Sequence, residues 1–400
     1  MIRKPEDLPV LGNSFPREME AYAGMMVKFL DTAQCIQELF YIITRREIFM
    51  EKLQETVKKI QPIDQQAVEK AAQRLDMLTK PQGSLGVLED IVKQLAGITG
   101  NPIPRLGKKC VVIMAGDHGV VEEGVSAFPQ EVTPQMVMNF LNGGAAINVL
   151  SRHAGADIVC CDIGVASDVK HPSLIIKKVR YGTANMAKGP AMSREEATRA
   201  IEVGIEVAED KIKSGVNILA TGEMGIGNTT PSSAILTVFG CPVEKVVGRG
   251  TGIDDKGLAL KIKTIIKAIE VNDPDPSDPI DVLSKVGGLE IAGLAGVILA
   301  AAAHRIPIVI DGFISSAAAL VASKIEPRSV QYMIASHVSE EPGHKMMLEM
   351  MRLYPMLHMK MRLGEGTGAA LAFHIIDAAT HIQSEMATFE SAGVSRSSSR

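Results

Sequence analysis

The sequence predicts an α/β fold with a doubly wound, mostly parallel, Rossmann-like sheet and a smaller helical domain formed from the N- and C-terminal segments. Two observations lead to this prediction. Five short, uniformly apolar runs each end at a polar or glycine-containing turn, and helical patterns lie between them. Uniformly apolar runs are typical of strands buried on both faces, and their alternation with helices indicates parallel βαβ units.

The predicted strands are the apolar runs at residues 108–119, 156–164, 216–225, 306–313 and 330–337. A helical pattern covers 134–153, and a second one covers 193–214. In parallel sheets of this type, ligands bind beyond the carboxyl ends of the strands. The polar residues at these ends, which predict an active site there, are Asp117, His118, Asp162, Glu223, Asp311, Ser336 and His337.

The chain divides into five predicted segments. Residues 50–105 form one helical part around KPQGSLG, 106–355 form the α/β domain with the nucleotide site, and 356–390 form a C-terminal helical part that includes Glu365. Residues 391–400 are predicted to be a disordered tail. Residues 1–49 are an N-terminal extension of doubtful origin, and Met50 is a plausible native start.

Composition excludes several classes of protein. The 42 Lys and Arg against 46 Asp and Glu give a net charge of -4, so the basic excess of a nucleic-acid binder is missing. The longest apolar stretch, residues 291–303, is shorter than the ~20 residues of a bilayer helix. Five scattered cysteines argue against a disulfide framework, and no histidine has zinc-ligand spacing. We therefore predict a cytoplasmic protein without membrane, metal or cofactor.

The loop GEMGIGNTTPSS at residues 222–233 follows a predicted strand and opens a predicted helix. Gly225 and Gly227 permit close approach of a ligand to the backbone, Thr229 or Thr230 is expected to cap the helix, and Pro231 suits its first turn. Such a loop binds anions, and without a GK[ST] ending or a GxGxxG pattern it fits a monophosphate better than ATP or NAD. A purely structural turn is the alternative.

Two further motifs remain ambiguous from the residues alone. GRGTG, which contains Gly250, fits a ligand loop or a structural turn equally well, and Lys261 in the following helix is by default a solvated surface residue. Glu365 lies between two glycines and follows apolar residues, which favours a raised pKa and a role as a base. A glutamate stabilised by a helix dipole explains the same pattern, and by itself is the better explanation.

From about residue 50 to 385 the chain resembles the nicotinate-nucleotide:dimethylbenzimidazole phosphoribosyltransferase family of cobalamin lower-ligand synthesis. The resemblance rests on many motifs that occur in the same order as in the family. They are KPQGSLG, GDHGV, PQEVT, GEMGIGNTTPSS, DVLSKVGG, IDGFISSAA, SHVSEEPG and LHMKMRLGEGTGAAL.

The resemblance implies that Glu365 is the general base and that the protein is a homodimer without metal. It also implies that Glu223, Ser339, the glycine loop and Lys261 lie at the nucleotide. Combined with the strand-end and glycine-loop interpretation, the predicted nucleotide and phosphate site consists of Glu223, Gly225, Gly227, Asn228, Thr229, Thr230, Gly250, Lys261, Asp311, Gly312 and Ser339. The predicted base pocket consists of Phe128, Met136, Met361 and Leu363.

The implied reaction transfers the 5-phosphoribosyl group from nicotinate mononucleotide to 5,6-dimethylbenzimidazole and gives α-ribazole 5′-phosphate and nicotinate. Two alternatives stay open at this point. The acceptor is a different base, such as adenine, another benzimidazole or a phenol, or the protein is a nucleotide-binding relative without activity. Loss of the general-base residue or of the phosphate-binding loop would indicate a relative without activity, and the sequence shows neither loss.

Overall fold

The computed structural model describes residues 51–395 of the chain. The predicted N-terminal extension, residues 1–49, lies outside the described residues, and so do residues 396–400 of the predicted tail. Residues 391–395 of that tail are described. They continue a turn in which the Val394 N–H donates to the Phe389 carbonyl at 3.0 Å.

Six parallel strands form the main sheet. They are β1 (Lys108–Gly116), β2 (Ala156–Gly164), β3 (Leu174–Ile176), β4 (Val216–Met224), β5 (Ile308–Ile310) and β6 (Met333–Ala335). Their spatial order is β3-β2-β1-β4-β5-β6, and every neighbouring pair is parallel. The predicted doubly wound sheet is therefore confirmed, and each of the five apolar runs contains one strand. The sixth, β3, escaped prediction because it is only three residues long and partly exposed at the sheet edge.

From residue 65 onward, thirteen α-helices surround the sheet in the described part of the chain. They are α1 (Gln65–Met77), α2 (Val87–Thr99), α3 (Val132–Leu141), α4 (Ala146–Ala154), α5 (Arg194–Lys213), α6 (Thr229–Val238), α7 (Val243–Val246), α8 (Asp255–Asn272), α9 (Pro279–Val286), α10 (Leu289–Ala303), α11 (Phe313–Ile325), α12 (Gly343–Met351) and α13 (Thr367–Glu385). Residues 51–59 are also helical.

The two faces of the sheet are covered by different helices. Side chains alternate along a strand, so Val111 and Ile113 of β1 join one hydrophobic cluster while Val112 and Met114 join the other. The first cluster includes side chains of α1, α2 and α13, and the second includes α5, α10 and α11. The helices from the two ends of the described chain thus share a core with the main sheet.

Helix α10 explains the longest apolar stretch of the sequence. Its side chains are buried on all sides, as expected for a helix inside a core rather than on its surface. It crosses α5 backbone to backbone, because a Cβ on Gly204 or on Gly296 would lie 1.8 Å from a carbonyl oxygen of the other helix. No helix among residues 51–395 is both long and apolar enough to span a bilayer.

The structure corrects two predicted elements. The helical pattern over 134–153 is interrupted, since α3 ends at Leu141 and α4 begins at Ala146, with Gly143 at φ +77° between them. The C-terminal part predicted as helical begins with a strand, β8 (Leu357–Met361), which pairs in parallel with β7 (His337–Ser339) in a small second sheet. Within the predicted segment 356–390, only Thr367–Glu385 is helical.

Candidate active site

The strand order reverses between β1 and β4, and the candidate site lies at the carboxyl ends of these strands. Sheets of this topology bind ligands at such a reversal. Glu223 is near the end of β4, Asp117 and His118 follow β1, and Asp311 follows β5. The fold therefore brings together several of the strand-end polar residues predicted from the sequence.

Glu365 lies in a tight turn between β8 and α13. Gly364, Glu365 and Gly366 have φ values of +84°, +63° and +91°, so three consecutive residues are left-handed. This conformation is easy for glycine but unfavourable for glutamate. The turn is pressed onto the sheet, because a Cβ on Gly222 would lie 2.7 Å from the Glu365 carbonyl oxygen. The glycine at that position of β4 is thus required by the turn.

The Glu365 side chain is buried but incompletely hydrogen-bonded. It is 7% exposed, and its Oε2 has no hydrogen-bond partner in the described protein. Burial, followed by the charge of Asp311, raises the pKa of Glu365 to about 7, while a hydrogen bond from the Ile147 N–H in the first turn of α4 opposes the shift. A helix N-terminus does stabilise this carboxylate, as the alternative interpretation proposed, but the helix is α4. A carboxylate that titrates near neutrality is suited to abstract a proton.

Glu223 connects Glu365 to the glycine loop. Its Oε1 accepts the Glu365 N–H at 3.3 Å, and its Oε2 accepts a hydrogen bond from the Asn228 side-chain amide. Burial, with the charges of Asp311, Glu290 and Glu365, raises the pKa of Glu223 to about 8, and the Glu365 N–H opposes the shift. Two neighbouring carboxyl groups with raised pKa values thus occupy the centre of the site.

The glycine loop makes a close turn between β4 and α6. Gly227 has φ +89°, and a Cβ on Gly225 would lie 2.2 Å from the Gly116 carbonyl oxygen. The prediction that Thr229 or Thr230 caps the helix was wrong, because α6 already begins at Thr229. Asn228 occupies the cap position and directs its side chain to Glu223 instead. Pro231 lies in the first turn as predicted.

Lys261 is completely buried, which corrects the default expectation of a surface lysine. Its Nζ donates to Thr229 Oγ1 at 2.6 Å and to the Gly248 carbonyl at 3.2 Å. Burial lowers the pKa of Lys261 to about 8, and the charge of Glu341 opposes the shift. The GRGTG segment encloses this ammonium group, since a Cβ on Gly250 would lie 3.2 Å from Nζ. The Lys261 ammonium group, the Thr229 hydroxyl group and the N-terminus of α6 therefore lie together, at the place where the sequence predicted an anion-binding site.

Ser339 belongs to a buried histidine network that the sequence did not reveal. Its N–H donates to His344 Nδ1 at 2.8 Å, so the proton of that ring is on Nε2, which lies 2.9 Å from Ser316 Oγ. Burial, and then the charge of His337, lowers the pKa of His344 to about 3, so the ring is neutral. Gly312 faces the same network, because a Cβ there would lie 3.5 Å from His337 Cε1.

Asp311, predicted as part of the nucleotide and phosphate site, contacts the start of α13, and its assignment to that site stays a prediction. Its two carboxylate oxygens accept N–H groups from Gly366 and Ala369 at the start of α13, at 3.1 and 3.0 Å. The sequence could not reveal these bonds, because they join residues 55 and 58 positions apart.

A second pair that the sequence did not predict lies under the glycine loop. His118 Nε2 is 2.7 Å from Glu290 Oε1, and both side chains are almost completely buried. The same ring nitrogen would lie 3.0 Å from a Cβ on Gly225, so the pair packs directly against the loop backbone. The polar residues of GDHGV at the end of β1 gave a signal for His118, but nothing in the sequence pointed to Glu290 at the start of α10.

The predicted base-pocket residues are only partly enclosed. Phe128 and Leu363 are 51% and 58% exposed, whereas Met136 and Met361 are half-buried. Their assignment to the base pocket stays a prediction. Among residues 51–395, no group of three His, Cys, Asp or Glu side chains is arranged to hold a metal ion.

Known proteins with similar sequences and folds cover nearly all of the described chain. A family model described as phosphoribosyltransferase matches residues 60–394. A nicotinate-nucleotide–dimethylbenzimidazole phosphoribosyltransferase of Desulforamulus reducens is 60% identical over 350 residues, which is 87% of this chain and 100% of the relative. One of Chloroflexus aggregans is 58% identical over 348 residues, with 86% and 99% coverage. The crystal structure of CobT from Thermus thermophilus superimposes with a TM-score of 0.80 at 46% identity, covering 83% of this chain and 100% of the other.

Proposed function

Because the chain belongs to the nicotinate-nucleotide–dimethylbenzimidazole phosphoribosyltransferase family, we propose that it transfers the 5-phosphoribosyl group of nicotinate mononucleotide to 5,6-dimethylbenzimidazole. The products are α-ribazole 5′-phosphate and nicotinate, and the reaction belongs to cobalamin nucleotide-loop assembly. One observation carries the proposal: a buried glutamate with a pKa near 7 and an unpartnered oxygen lies in the same site as a buried cationic pocket.

The cationic pocket is proposed to bind the 5′-phosphate. Lys261 Nζ, Thr229 Oγ1 and the N–H groups at the start of α6 supply the positive charge and the donors that a phosphate dianion requires. Gly225 and Gly227 permit the phosphate to approach the backbone closely. The bond from Lys261 to Thr229 is then exchanged for bonds to phosphate oxygens.

In the proposed reaction, one benzimidazole nitrogen attacks C1′ of the ribose as the bond from C1′ to the nicotinate nitrogen breaks. The bonding electron pair returns to that nitrogen, which neutralises the pyridinium, so the leaving group needs no proton. The second benzimidazole nitrogen still carries its hydrogen and becomes strongly acidic, and Glu365 takes this proton. Attack on the face opposite the leaving group converts the β linkage into an α linkage.

Substitution of Glu365 by Gln tests the role of the base. The amide keeps the shape of the side chain but cannot accept the proton, so we expect turnover to fall by roughly 10²–10⁴-fold. Binding of nicotinate mononucleotide, measured by calorimetry, should stay within about twofold, because the phosphate pocket is unchanged. The matched control is Glu270→Gln, on an exposed position of α8. Near-normal turnover of the Glu365 variant would show that another group is the base.

The acceptor is the least constrained part of the proposal. Partly exposed Phe128, Met136, Met361 and Leu363 form an adaptable apolar lining, which fits 5,6-dimethylbenzimidazole and also fits adenine, other benzimidazoles and phenols. Nicotinate release from nicotinate mononucleotide should be followed with each acceptor, and kcat/KM compared. We expect the highest value with 5,6-dimethylbenzimidazole. Absence of nicotinate release with every acceptor would favour a non-catalytic nucleotide-binding relative.

We also propose that the protein is a homodimer that works in the cytoplasm. Phe128, Leu363 and Met359 are large apolar side chains that are more than half exposed. Strand β8 pairs with β7 along one edge, and its own side chains are largely exposed. A second copy of the chain that covers this region would complete the lining of the base pocket.

A further inference from the structure

Asp311 forms hydrogen bonds with the turn that carries Glu365. It is 2% exposed, and its Oδ2 and Oδ1 accept the N–H groups of Gly366 and Ala369. These N–H groups belong to the first turn of α13, which is 19 residues long, where helical N–H groups have no acceptor inside the helix. Both carboxylate oxygens are therefore engaged before any substrate binds.

These two hydrogen bonds fix the backbone directly next to Glu365. The left-handed conformation of Glu365 is one that its own side chain disfavours, so the surrounding structure must impose it. On the N-terminal side, the Glu365 N–H is held by Glu223. On the C-terminal side, the Gly366 N–H is held by Asp311. The turn is thus clamped between two carboxylates from neighbouring strands.

Asp311 also contacts two further elements, β4 and β7. Its N–H donates to Thr221 Oγ1 of β4 at 3.1 Å, and its Oδ1 lies 3.9 Å from Nδ1 of His337 in β7. His337 in turn lies 2.9 Å from Ser336 Oγ. The backbone of Asp311 is therefore fixed to β4, and its side chain connects that position to the turn.

We propose that Asp311 is a positioning residue that holds Glu365 in the orientation required for proton transfer and does not contact the nucleotide. The role rests on the proposed function of Glu365 as the base. Asp311 then contributes to kcat and not to nucleotide affinity. Its strand-end location had instead predicted that it binds the nucleotide.

The test is Asp311→Asn in the full-length protein. One amide oxygen can still accept a single N–H, but the NH₂ group faces the second N–H and cannot accept it, so the turn loosens. We expect kcat to fall about 10- to 100-fold, as for a small displacement of a catalytic group. KM for nicotinate mononucleotide should stay within about twofold, because the phosphate pocket is unchanged.

Asp278→Asn is the matched control. Asp278 caps α9 by accepting the N–H groups of Ile280 and Asp281 at 3.1 and 3.2 Å, far along the chain from the site. The same substitution should there leave kcat and KM within about twofold. An equal loss of kcat in Asp311→Asn and Asp278→Asn would show that the loss of a helix cap alone causes the effect, and it would overturn the proposal.

The pH profile gives a second readout. Ionisable groups that face Glu365 or its turn are Glu223 from β4, Asp311 itself, and His337 from β7. Removing the Asp311 charge should move the acid limb of kcat to lower pH, because less negative charge then opposes ionisation of Glu365. Asp311→Glu restores the negative charge but not the geometry of the hydrogen bonds to Gly366 and Ala369. The acid limb of kcat should therefore return toward the wild-type pH, while kcat itself stays reduced.

Hydrogen exchange separates this proposal from the proposed function. Amides in a peptide spanning 363–370 should lose protection in Asp311→Asn, whether or not the wild type releases nicotinate. If Asp311→Asn does not fold, Thr221→Val removes the acceptor of the Asp311 N–H and should lower kcat severalfold at unchanged KM. A tenfold rise in KM with unchanged kcat, or unchanged exchange over 363–370, would refute the positioning role.

Discussion

At the scale of single residues, the site contains carboxylates and a lysine whose pKa values are shifted toward each other. Glu365 and Glu223 have pKa values raised to about 7 and about 8, and that of Lys261 is lowered to about 8. The base must be ionised and the lysine protonated. We therefore expect kcat/KM for nicotinate mononucleotide to rise with pH as the carboxylate pair ionises and to fall as Lys261 loses its proton.

A Lys261→Met variant separates the two limbs. It should raise KM for nicotinate mononucleotide about tenfold or more and abolish the alkaline limb of kcat/KM, while the acid limb stays in place. The kcat profile of the wild type should lack the alkaline limb, because a bound phosphate dianion holds the proton on the lysine. Measurement of initial rates between pH 6 and about 10 checks these outcomes. An alkaline limb that survives in Lys261→Met belongs to another group.

The sequence could predict the identities of these residues and a raised pKa for Glu365, but not the contacts around them. Glu365 and Glu223 were found from their motifs and strand position, whereas the burial of Lys261 depends on the GRGTG segment and Thr229 closing around it. The bonds between Asp311 and α13 similarly depend on tertiary packing. A motif can be recognised from neighbouring residues, but the partners of a buried polar group come from elements far apart in the chain.

At the scale of elements, the His118–Glu290 pair joins the end of β1 to the start of α10 beneath the glycine loop. Burial lowers the pKa of His118, but the Glu290 carboxylate more than compensates, so the net shift is upward. A raised folded-state pKa stabilises the protein fully at pH values below the unfolded pKa. That stabilisation is lost as pH rises through the folded pKa.

Glu290→Gln removes the charge of this pair and tests its contribution. Loss of one partner of a buried pair is expected to lower the free energy of unfolding by about 3–5 kcal/mol at pH values below the unfolded pKa of histidine, and by progressively less as pH rises through the folded pKa of His118. Urea unfolding over a pH series checks this, with Glu349→Gln, in an exposed pair with Lys345, as the control. The difference between wild type and Glu290→Gln should shrink as pH rises. A difference independent of pH would show that His118 is not charged in the folded protein.

The element boundaries show where sequence patterns are informative. Five apolar runs predicted five strands, because buried parallel strands cannot carry polar side chains without a partner. Strand β8 was missed although its sequence, LHMKM, alternates apolar and polar residues, because the run is only five residues long and its side chains are mostly exposed. The break between α3 and α4 was missed although NGG signals a turn. This break frees the N–H of Ile147 for Glu365, so the overlooked feature belongs to the site.

At the scale of the whole molecule, one topological feature accounts for the location of the site. The reversal of strand order between β1 and β4 opens a crevice at their carboxyl ends. Asp311 follows β5 of the same sheet, and Ser339 ends β7 of the small second sheet. The predicted fold class was therefore enough to predict the location of the site. It does not predict how the site is closed, because Phe128 and Leu363 are more than half exposed in the single chain.

A second copy of the chain is the proposed cover, and this leads to a prediction about concentration. Met359 is 56% exposed on β8, outside the predicted site residues, and a charge there would be costly to bury in an interface. We expect Met359→Glu to shift the protein from dimer to monomer in sedimentation velocity and to make its specific activity fall on dilution. The control is Val271→Glu, which changes a residue of similar exposure, 51%, on α8 and should leave both properties unchanged. A wild-type protein that sediments as a monomer at full specific activity would show that one chain forms the complete site.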